Sequence, residues 1–341
     1  ITVVYPIKNG HLATDMSPKA HLVPVEDKRT KIHKTIDFTL GKIHRYKDEI
    51  STYFNAQMFD VVVFDSSIVS FHLIKHARKA GLKCICIHHN YQIEFVKDDT
   101  PWYLLPIKLF WTYFSERQAV KNSHLNLTLT QTDAESLSEH YDRKAIFEVI
   151  GVCDYVTKEY SVVESNNKSI HFIITGQLAS KQTEDSLIPW IQEYYPILNQ
   201  ICPDGELTIA GRSPSNKLIR LCHEVGITLI PSPKEMAPIL ENGDVFICPT
   251  SLGSGLKLRN MDGLRTGMQV LTHIRSERGY EAMKEKGVLY SYKDKESFAH
   301  QLKQIIDHPK TKVEVLDVYN SYFSLQAGIS RLANILNKHF I

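Results

Sequence analysis

The 341-residue sequence has no apolar run approaching the ~18 residues that a membrane-spanning helix needs. It does not open on a basic segment followed by an apolar core, so neither a span nor a signal peptide is expected. No sign of charge dominates: 40 basic residues face 38 acidic ones, and a net charge of +2 creates no field that would demand nucleic acid as a partner. Cysteine is sparse, with six residues at positions 84, 86, 153, 202, 222 and 248. Their spacing suits neither a disulfide framework nor a metal site, and they read as buried thiols in a reducing, cytoplasmic compartment. No G-x-S-x-G nucleophile turn, G-x-x-x-x-G-K-[ST] loop or H-E-x-x-H pair occurs. Asp98-Asp99 reads as a polar turn before Pro101. No metal and no cofactor are therefore expected.

What is present is ordinary globular material, 43% hydrophobic and 23% charged, enough for two domains. The most informative stretch is Asp244–His273. Val245–Cys248 is an apolar run bounded by Pro249, the pattern of a fully buried strand. Ser251, Gly253, Ser254 and Gly255 form a turn that lets backbone approach a ligand. A helix starting near Leu256 would offer its N–H groups to phosphate. Leu258, Met261, Leu264 and Met268 recur at helical spacing and should face the core, while Lys257 and Asp262 reach the pocket mouth. Gly267 stands where a helix end wants a left-handed residue, before the strand Gln269–Thr272.

The segment GSGLKLRNMDGLRTGMQVLT resembles the donor-sugar motif of GT-B glycosyltransferases of family 4 (group 1), GSG-x-[KR]-x-K-x-x-E-A-x-A-x-G-x-P-V. Gly253, Ser254, Gly255, Lys257, Arg259 and Gly267 match it, and Asp262 stands at its glutamate. Ser254 takes the place of an acid in the better-known form of the motif. TGQLASKQTEDS resembles the segment G-R-L-x-x-x-K-G through Gly176 and Lys181, with Gln177 in place of arginine. LTIAGRSPS, with Arg212, and ITLIPSPKEMAPIL resemble the segments at the nucleotide edge and around the base.

The resemblance implies an α/β fold of two Rossmann-like domains facing each other across a cleft. It also implies a metal-independent, retaining glycosyltransferase that uses a nucleotide diphosphate sugar and a glycan or lipid-linked acceptor, in bacterial surface polysaccharide or glycoconjugate synthesis. Lys181, Lys257, Arg212 and Arg259 would meet the diphosphate, Asp262 the ribose, and backbone from Gly253 to Leu256 the phosphate and sugar. Two readings of other classes stay open, a non-catalytic nucleotide-sugar-binding scaffold and a nucleotide-sugar 2-epimerase. Gln177 and Ser254, each replacing a charged family residue, keep the scaffold open.

The first half reads as alternating strands and helices: a strand over Ile1–Tyr5, another over His21–Val25, and a helix from Lys28 to about Gln57. Then come the strand Asp60–Asp65, Ser66 and Ser67 as helix caps, a helix over Ile68–Ala80 and the strand Leu82–Ile87. HHNYQIEF resembles the family's H-N-x-E turn, which implies that His89 contacts the sugar near its reacting carbon. Asp98 to Lys121 is rich in aromatic and basic residues and has two readings, a membrane-surface helix or a core helix, of which the core helix is preferred. A peripheral contact on the inner face of a membrane thus remains an alternative. ERQAVKNSH resembles a family helix that precedes a strand, here Leu125–Thr130, with Thr132 capping the next helix. ITVVYP is closer to the family's second strand than to its first, which implies an absent unit of about thirty residues. Domains are expected over 1–157 and 168–308, with a linker at 159–168. Helices over 309–341 should pack back on the first domain.

Overall fold

The computed structural model describes residues 1–6, 20–26, 30, 32–33, 50, 52–55, 57–154, 169–253 and 255–340. The helix expected over 28–57 lies mostly outside the described residues, and the linker and Ser254 lie wholly outside them. The chain forms two compact units, the first from 1–128 and 133–149, the second from 129–132 and 150–341. The division at 149/150 precedes the expected one, and the helices over 309–341 fall in the second unit.

In the first unit, β1 (Thr2–Pro6) pairs in parallel with β2 (His21–Val25) as a two-stranded sheet. A second sheet runs in chain order through β3 (Val61–Asp65), β4 (Lys83–His88), β5 (Leu125–Thr128) and β6 (Phe147–Val149), all parallel. Parallel neighbours require crossovers, and α1 (Ser67–Lys79), α2 (Gln92–Asp99), α3 (Leu105–Asn122) and α4 (Gln131–His140) supply them. β4 and β5 are buried along most of their length because helices cover the sheet. Phe64, Phe71, Ile74, Leu82, Cys84, Cys86 and Ala119 form the core beneath α1.

Four local expectations are corrected. Ser66 precedes α1, but its side chain makes no capping bond and its φ is 119°. Thr132 lies inside α4, one residue past its start. Cys153 is exposed and Cys202 half-buried, so four of the six thiols are buried. The fourth correction concerns α3, which buries Thr112, Ser115, Glu116, Ala119 and Val120. Trp102, Tyr103, Ile107, Phe110, Tyr113 and Phe114 are exposed, Trp102 at 83%. The helix thus enters the core through Thr112 to Val120, with Phe114 and Tyr113 touching Phe71 and Tyr141 at its margin, and the core-helix reading fails for Trp102, Tyr103 and Phe110.

The second unit holds β7 (His171–Gly176), α5 (Lys181–Glu193), α6 (Tyr195–Ile201), β8 (Glu206–Gly211), α7 (Asn216–Val225), β9 (Thr228–Pro231) and α8 (Ala237–Glu241). It continues with β10 (Val245–Cys248), α9 (Arg259–Leu264), β11 (Gln269–His273), α10 (Glu281–Glu285), β12 (Leu289–Tyr292), α11 (Lys295–Asp307), α12 (Lys312–Phe323) and α13 (Leu325–Phe340). The six strands, among them the two expected over Val245–Cys248 and Gln269–Thr272, lie in the parallel order β12-β11-β10-β7-β8-β9. Chain order reverses beside β7, between β8 and β10. In open α/β sheets, that reversal opens a crevice outside the carboxyl ends of the strands. Two cores cover the sheet, one around Trp190, Leu218 and Phe298, the other around Phe246, Met261, Leu264 and Tyr280.

Candidate donor-binding site

A pocket of about 530 Å³ opens at that reversal. Its floor is Thr175, Gly176 and Gln177 at the end of β7, with Gly211 and Arg212 beside them at the end of β8. Ser232, Pro233 and Met236 close the side beyond β9, and Arg259 and Asp262 enter from α9. Of the residues proposed from sequence, Gly176, Gln177, Arg212, Arg259 and Asp262 are thus brought together.

The floor has to be glycine. A Cβ on Gly211 would lie 1.9 Å from the Gly176 carbonyl oxygen, its neighbour in the parallel register. A Cβ on Gly176 would lie 2.5 Å from Arg259 Cζ, so the guanidinium rests directly on the strand end. Arg259 is held there by donating from Nη2 to Thr183 Oγ1 at 2.8 Å. Thr183 also donates its N–H to Ser180 Oγ, which caps α5. Two serines take left-handed backbone at the rim, Ser213 at φ 52° and Ser232 at φ 48°. The Ser213 N–H donates to Ser232 Oγ at 3.0 Å, and the Ser232 N–H donates to the Gly211 carbonyl at 2.7 Å. These bonds fix the loops after β8 and β9 against each other.

The glycine-serine turn differs from expectation in one respect. α9 begins at Arg259 and not near Leu256, and Leu258 is 60% exposed, because the apolar stripe starts one turn later, at Met261. Gly253 and Gly255 do take left-handed backbone, at φ 81° and 73°. Gly267 does so at 81°, and a Cβ there would strike Lys312. A Cβ on Gly253 would meet Lys257 Nζ at 2.7 Å and Gln182 Oε1 at 2.9 Å, so lysine and glutamine converge on the turn. The Lys257 carbonyl accepts from the buried Tyr280 hydroxyl at 2.9 Å, and Leu256 packs toward the core around Tyr280. Lys181 is the first residue of α5, and neither it nor Lys257 lines the pocket.

Asp262 is the acid of the pocket. Burial pushes its carboxyl above the usual range, opposed first by the charge and hydrogen bond of Arg265 and then by Arg259. Sequence reading passed over Thr183, Gln182 and Arg265. The signal for Thr183 was its place two residues after Lys181 in the same motif.

His89 lies in the first unit. β4 ends at His88, whose ring is buried and shares a 3.0 Å hydrogen bond with Asn126. Burial lowers His88 to about 4, so it is neutral. His89, the next residue, points the other way and is half exposed. Its Nε2 lies 2.5 Å from Asp65 Oδ1 at the end of β3, and this partner raises its pKa. The turn is held from below: Asp133 accepts the Tyr91 N–H at 3.0 Å, and buried Glu116 accepts the Gln92 N–H at 3.0 Å.

A pocket with two guanidinium groups over a glycine floor and one carboxylate on its wall suits a ligand that carries both phosphates and a diol. Comparisons with known proteins cover the segment that holds this pocket. Residues 169–308 match the family model described as Glycosyl transferases group 1. An uncharacterized 44.6 kDa protein in the cps region of Klebsiella pneumoniae is 31% identical over 128 residues, 35% of this chain. The match spans about a third of that relative, 32% of its length. Among solved structures, sucrose-phosphate synthase from Thermosynechococcus elongatus is similar with a TM-score of 0.69 and 12% identity, over 96% of this chain and 85% of that one. The lipopolysaccharide outer core galactosyltransferase WaaB is similar with a TM-score of 0.65 and 12% identity, over 93% and 85%. HepE of Anabaena, in complex with UDP, gives a TM-score of 0.64 and 11% identity, over 93% and 86%. The chain thus has the GT-B fold, and its residues 169–308 carry the group 1 glycosyl transferase domain.

Proposed function

We propose that this protein is a retaining, metal-independent glycosyltransferase that moves a hexose from a nucleoside diphosphate sugar to a glycan or lipid-linked acceptor in surface polysaccharide synthesis. The observation that carries the proposal is the convergence of Arg212, Arg259 and Asp262 on the Gly176–Gly211 floor. The family match over that same segment supports it, as does the cps-region relative. In this reading the bond from the sugar carbon to the diphosphate breaks and one to the acceptor oxygen forms. The acceptor proton passes to the departing phosphate. Arg212 and Arg259, aided by Lys257 and Lys181, neutralise the charge that develops on the diphosphate. Asp262 accepts the ribose hydroxyls, Gly253, Gly255 and Leu256 offer backbone to the phosphate and sugar, and His89 contacts the sugar.

Thermal shift with UDP, GDP and ADP, then hydrolysis of the matching sugar donors, tests the reading. One diphosphate should stabilise the chain, and its sugar should be slowly hydrolysed even without acceptor. Binding without any turnover would favour the scaffold, and no binding at all would sink both. Activity should survive EDTA, and a requirement restored only by adding Mg²⁺ or Mn²⁺ would remove the metal-free step.

The exposed face of α3 favours a peripheral membrane contact as part of this function. Ile107, Phe110 and Phe114 fall on one side of the helix, with Trp102 and Tyr103 before it and Arg117 and Lys121 farther along. The acid of α3, Glu116, is buried, so the outward face carries apolar and basic groups and no carboxylate. That composition fits an anionic lipid surface. No helix among the described residues is long and apolar enough to cross a membrane.

A further inference from the structure

Asp262 shares a cation with a second carboxylate. Arg265, just past the end of α9, donates from Nη2 to Asp262 Oδ1, and its Nη1 lies 3.4 Å from Asp154 Oδ2. Asp154 also accepts from the Tyr319 hydroxyl of α12 at 2.5 Å, and its own N–H donates to the Phe323 carbonyl at 2.7 Å. The Asp154 side chain is 11% exposed and that of Arg265 17%, whereas Asp262 is 33% exposed and lines the pocket. The chain Tyr319–Asp154–Arg265–Asp262 therefore runs from the interior to the pocket wall. Two anions divide one guanidinium, and only the outer one faces the ligand space.

We infer that Arg265 is a positioning residue that holds Asp262 as an aimed carboxylate on the pocket wall, and that Asp154 and Tyr319 hold Arg265. This rests on the reading that Asp262 receives the ribose hydroxyls. Arg265 occupies Oδ1, which leaves Oδ2 to accept a hydroxyl. The planar guanidinium fixes the carboxylate plane as a point charge would not. The groups facing Asp262 are Arg265, Arg259, Asp154 and the hydroxyls of Tyr280 and Tyr319, with Arg212 in the same pocket. Without Arg265, burial and Asp154 both push Asp262 toward its neutral form, with Arg259 left to oppose them. A neutral carboxyl is a poorer acceptor, so ligand affinity should fall as pH falls.

The test is the pH profile of affinity for whichever of UDP, GDP and ADP binds the unaltered full-length chain, compared with Arg265→Met, Arg265→Lys and Asp262→Asn. Affinity is read between about pH 6 and pH 8 as the ratio of variant to unaltered chain, in which the ligand's own phosphate titration cancels, and a variant that leaves Asp262 charged gives a flat profile. Arg265→Met should lose about tenfold at the acid end, ~1.4 kcal/mol, and recover most of it at the alkaline end. Arg265→Lys, which keeps the charge and loses the plane, should restore the flat profile at an affinity below that of the unaltered chain. In the Asp262→Asn background, Arg265→Met should add no pH dependence. A loss of equal size at every pH, or no loss, would make Arg265 structural only and overturn the inference. Carboxyl ¹³C titration of Asp262 in the ligand-free chain, assigned by Asp262→Asn, gives a second reading that needs no ligand. Its titration should move upward in Arg265→Met, and an unmoved titration overturns the inference. If none of the three diphosphates binds the unaltered chain, the donor-site reading fails, and the titration still decides the ion-pair claim.

Discussion

The two units share a parallel-sheet plan and place their polar groups oppositely. In the second unit, charged side chains gather at the open end of the sheet, where Arg212, Arg259 and Asp262 line a pocket above two apolar cores. In the first unit, apart from the exposed pair His89 and Asp65, the polar groups near the sheet end are turned inward. Glu116 is fully buried and bonded to Tyr141 and Gln92, Asp133 is buried against the Tyr91 N–H, and His88 is buried on Asn126. Several of its aromatic residues, Phe110, Tyr113 and Phe114, lie outward on α3. Polar groups left open can be matched by a ligand, while those closed off by the protein brace a loop, here the one that carries His89 and Asn90. The contrast predicts where substitutions act on binding and where they act on shape.

The largest effect should come from the pocket floor. Gly211→Ala would place a methyl 1.9 Å from the Gly176 carbonyl, and backbone on both strands would have to separate. A cost of about 3 kcal/mol or more is expected, with nucleoside diphosphate binding lost, as read by denaturant unfolding and calorimetry. Normal stability with normal binding would mean that the strands are farther apart than described here.

Next in size is His89→Ala. Under the proposed function, turnover should fall on the order of a hundredfold while nucleoside diphosphate affinity stays nearly constant, because the contact is made to the sugar. His88→Ala should instead act on stability, by leaving a cavity and removing the partner of Asn126 Oδ1. If His88→Ala gives the larger turnover loss at equal stability, the assignment of roles within this pair is wrong.

Much of the second unit was legible in the sequence. Val245–Cys248 and Gln269–Thr272 are short runs with apolar centres, the first bounded by Pro249, and there pattern and burial agree. Gly176, Arg212, Arg259 and Asp262 could be placed from motif register, which fixes spacing along the chain. Arg265 stands in that register where the motif has alanine, and its role escaped because its second partner, Asp154, is remote in sequence. Register also misjudged the helix: α9 starts at Arg259, so Leu258 is outside it and exposed. In the first unit, composition misled more strongly. An aromatic helix suggests a core element, but which face packs depends on neighbours, and α3 packs by Thr112, Ser115, Glu116 and Ala119. Apolar periodicity cannot reveal a buried carboxyl satisfied by Tyr141, just past the end of α4.

Arg259→Ala should weaken nucleoside diphosphate binding by about 1.5–3 kcal/mol and nucleoside binding much less, since the lost bonds are to charged oxygens. Lys257→Ala should act in the same direction, and Asp262→Asn should weaken nucleoside too. Equal losses for both ligands in Arg259→Ala would move that guanidinium away from the phosphates.

A smaller effect should appear in the pH dependence of stability. Burial raises Glu116 to about 8, against the opposing bonds from the Gln92 N–H and the Tyr141 hydroxyl. Its folded value lies above its ordinary one, so its contribution is complete below about pH 4.5 and is lost as pH rises through about 8. His88 acts at the other end: lowered to about 4, it contributes above its ordinary 6.5 and the contribution is lost as pH falls toward 4. Glu116→Gln should therefore flatten the decline in melting temperature on the alkaline side and leave the acid side to His88. A difference between variant and unaltered chain that does not change with pH would show that Glu116 does not titrate in this window.

The smallest effect on the fold should come from the face that composition alone would place in the core. Trp102 and Phe110 are 83% and 62% exposed, and their ring contacts are with sequence neighbours, Tyr103 and Trp111. Replacing both with serine removes little packed area, so the unfolding free energy should change by less than ~0.5 kcal/mol and nucleoside diphosphate affinity should stay the same. Binding to vesicles that contain phosphatidylglycerol should fall, and the residual binding should depend on salt through Arg117 and Lys121. The pair of measurements separates two kinds of error. A stability loss above ~2 kcal/mol would mean that these side chains are packed, returning α3 to the core and erasing the contrast between the units. Unchanged vesicle binding, or none by the unaltered chain, would leave the contrast standing and remove the membrane from the proposed function.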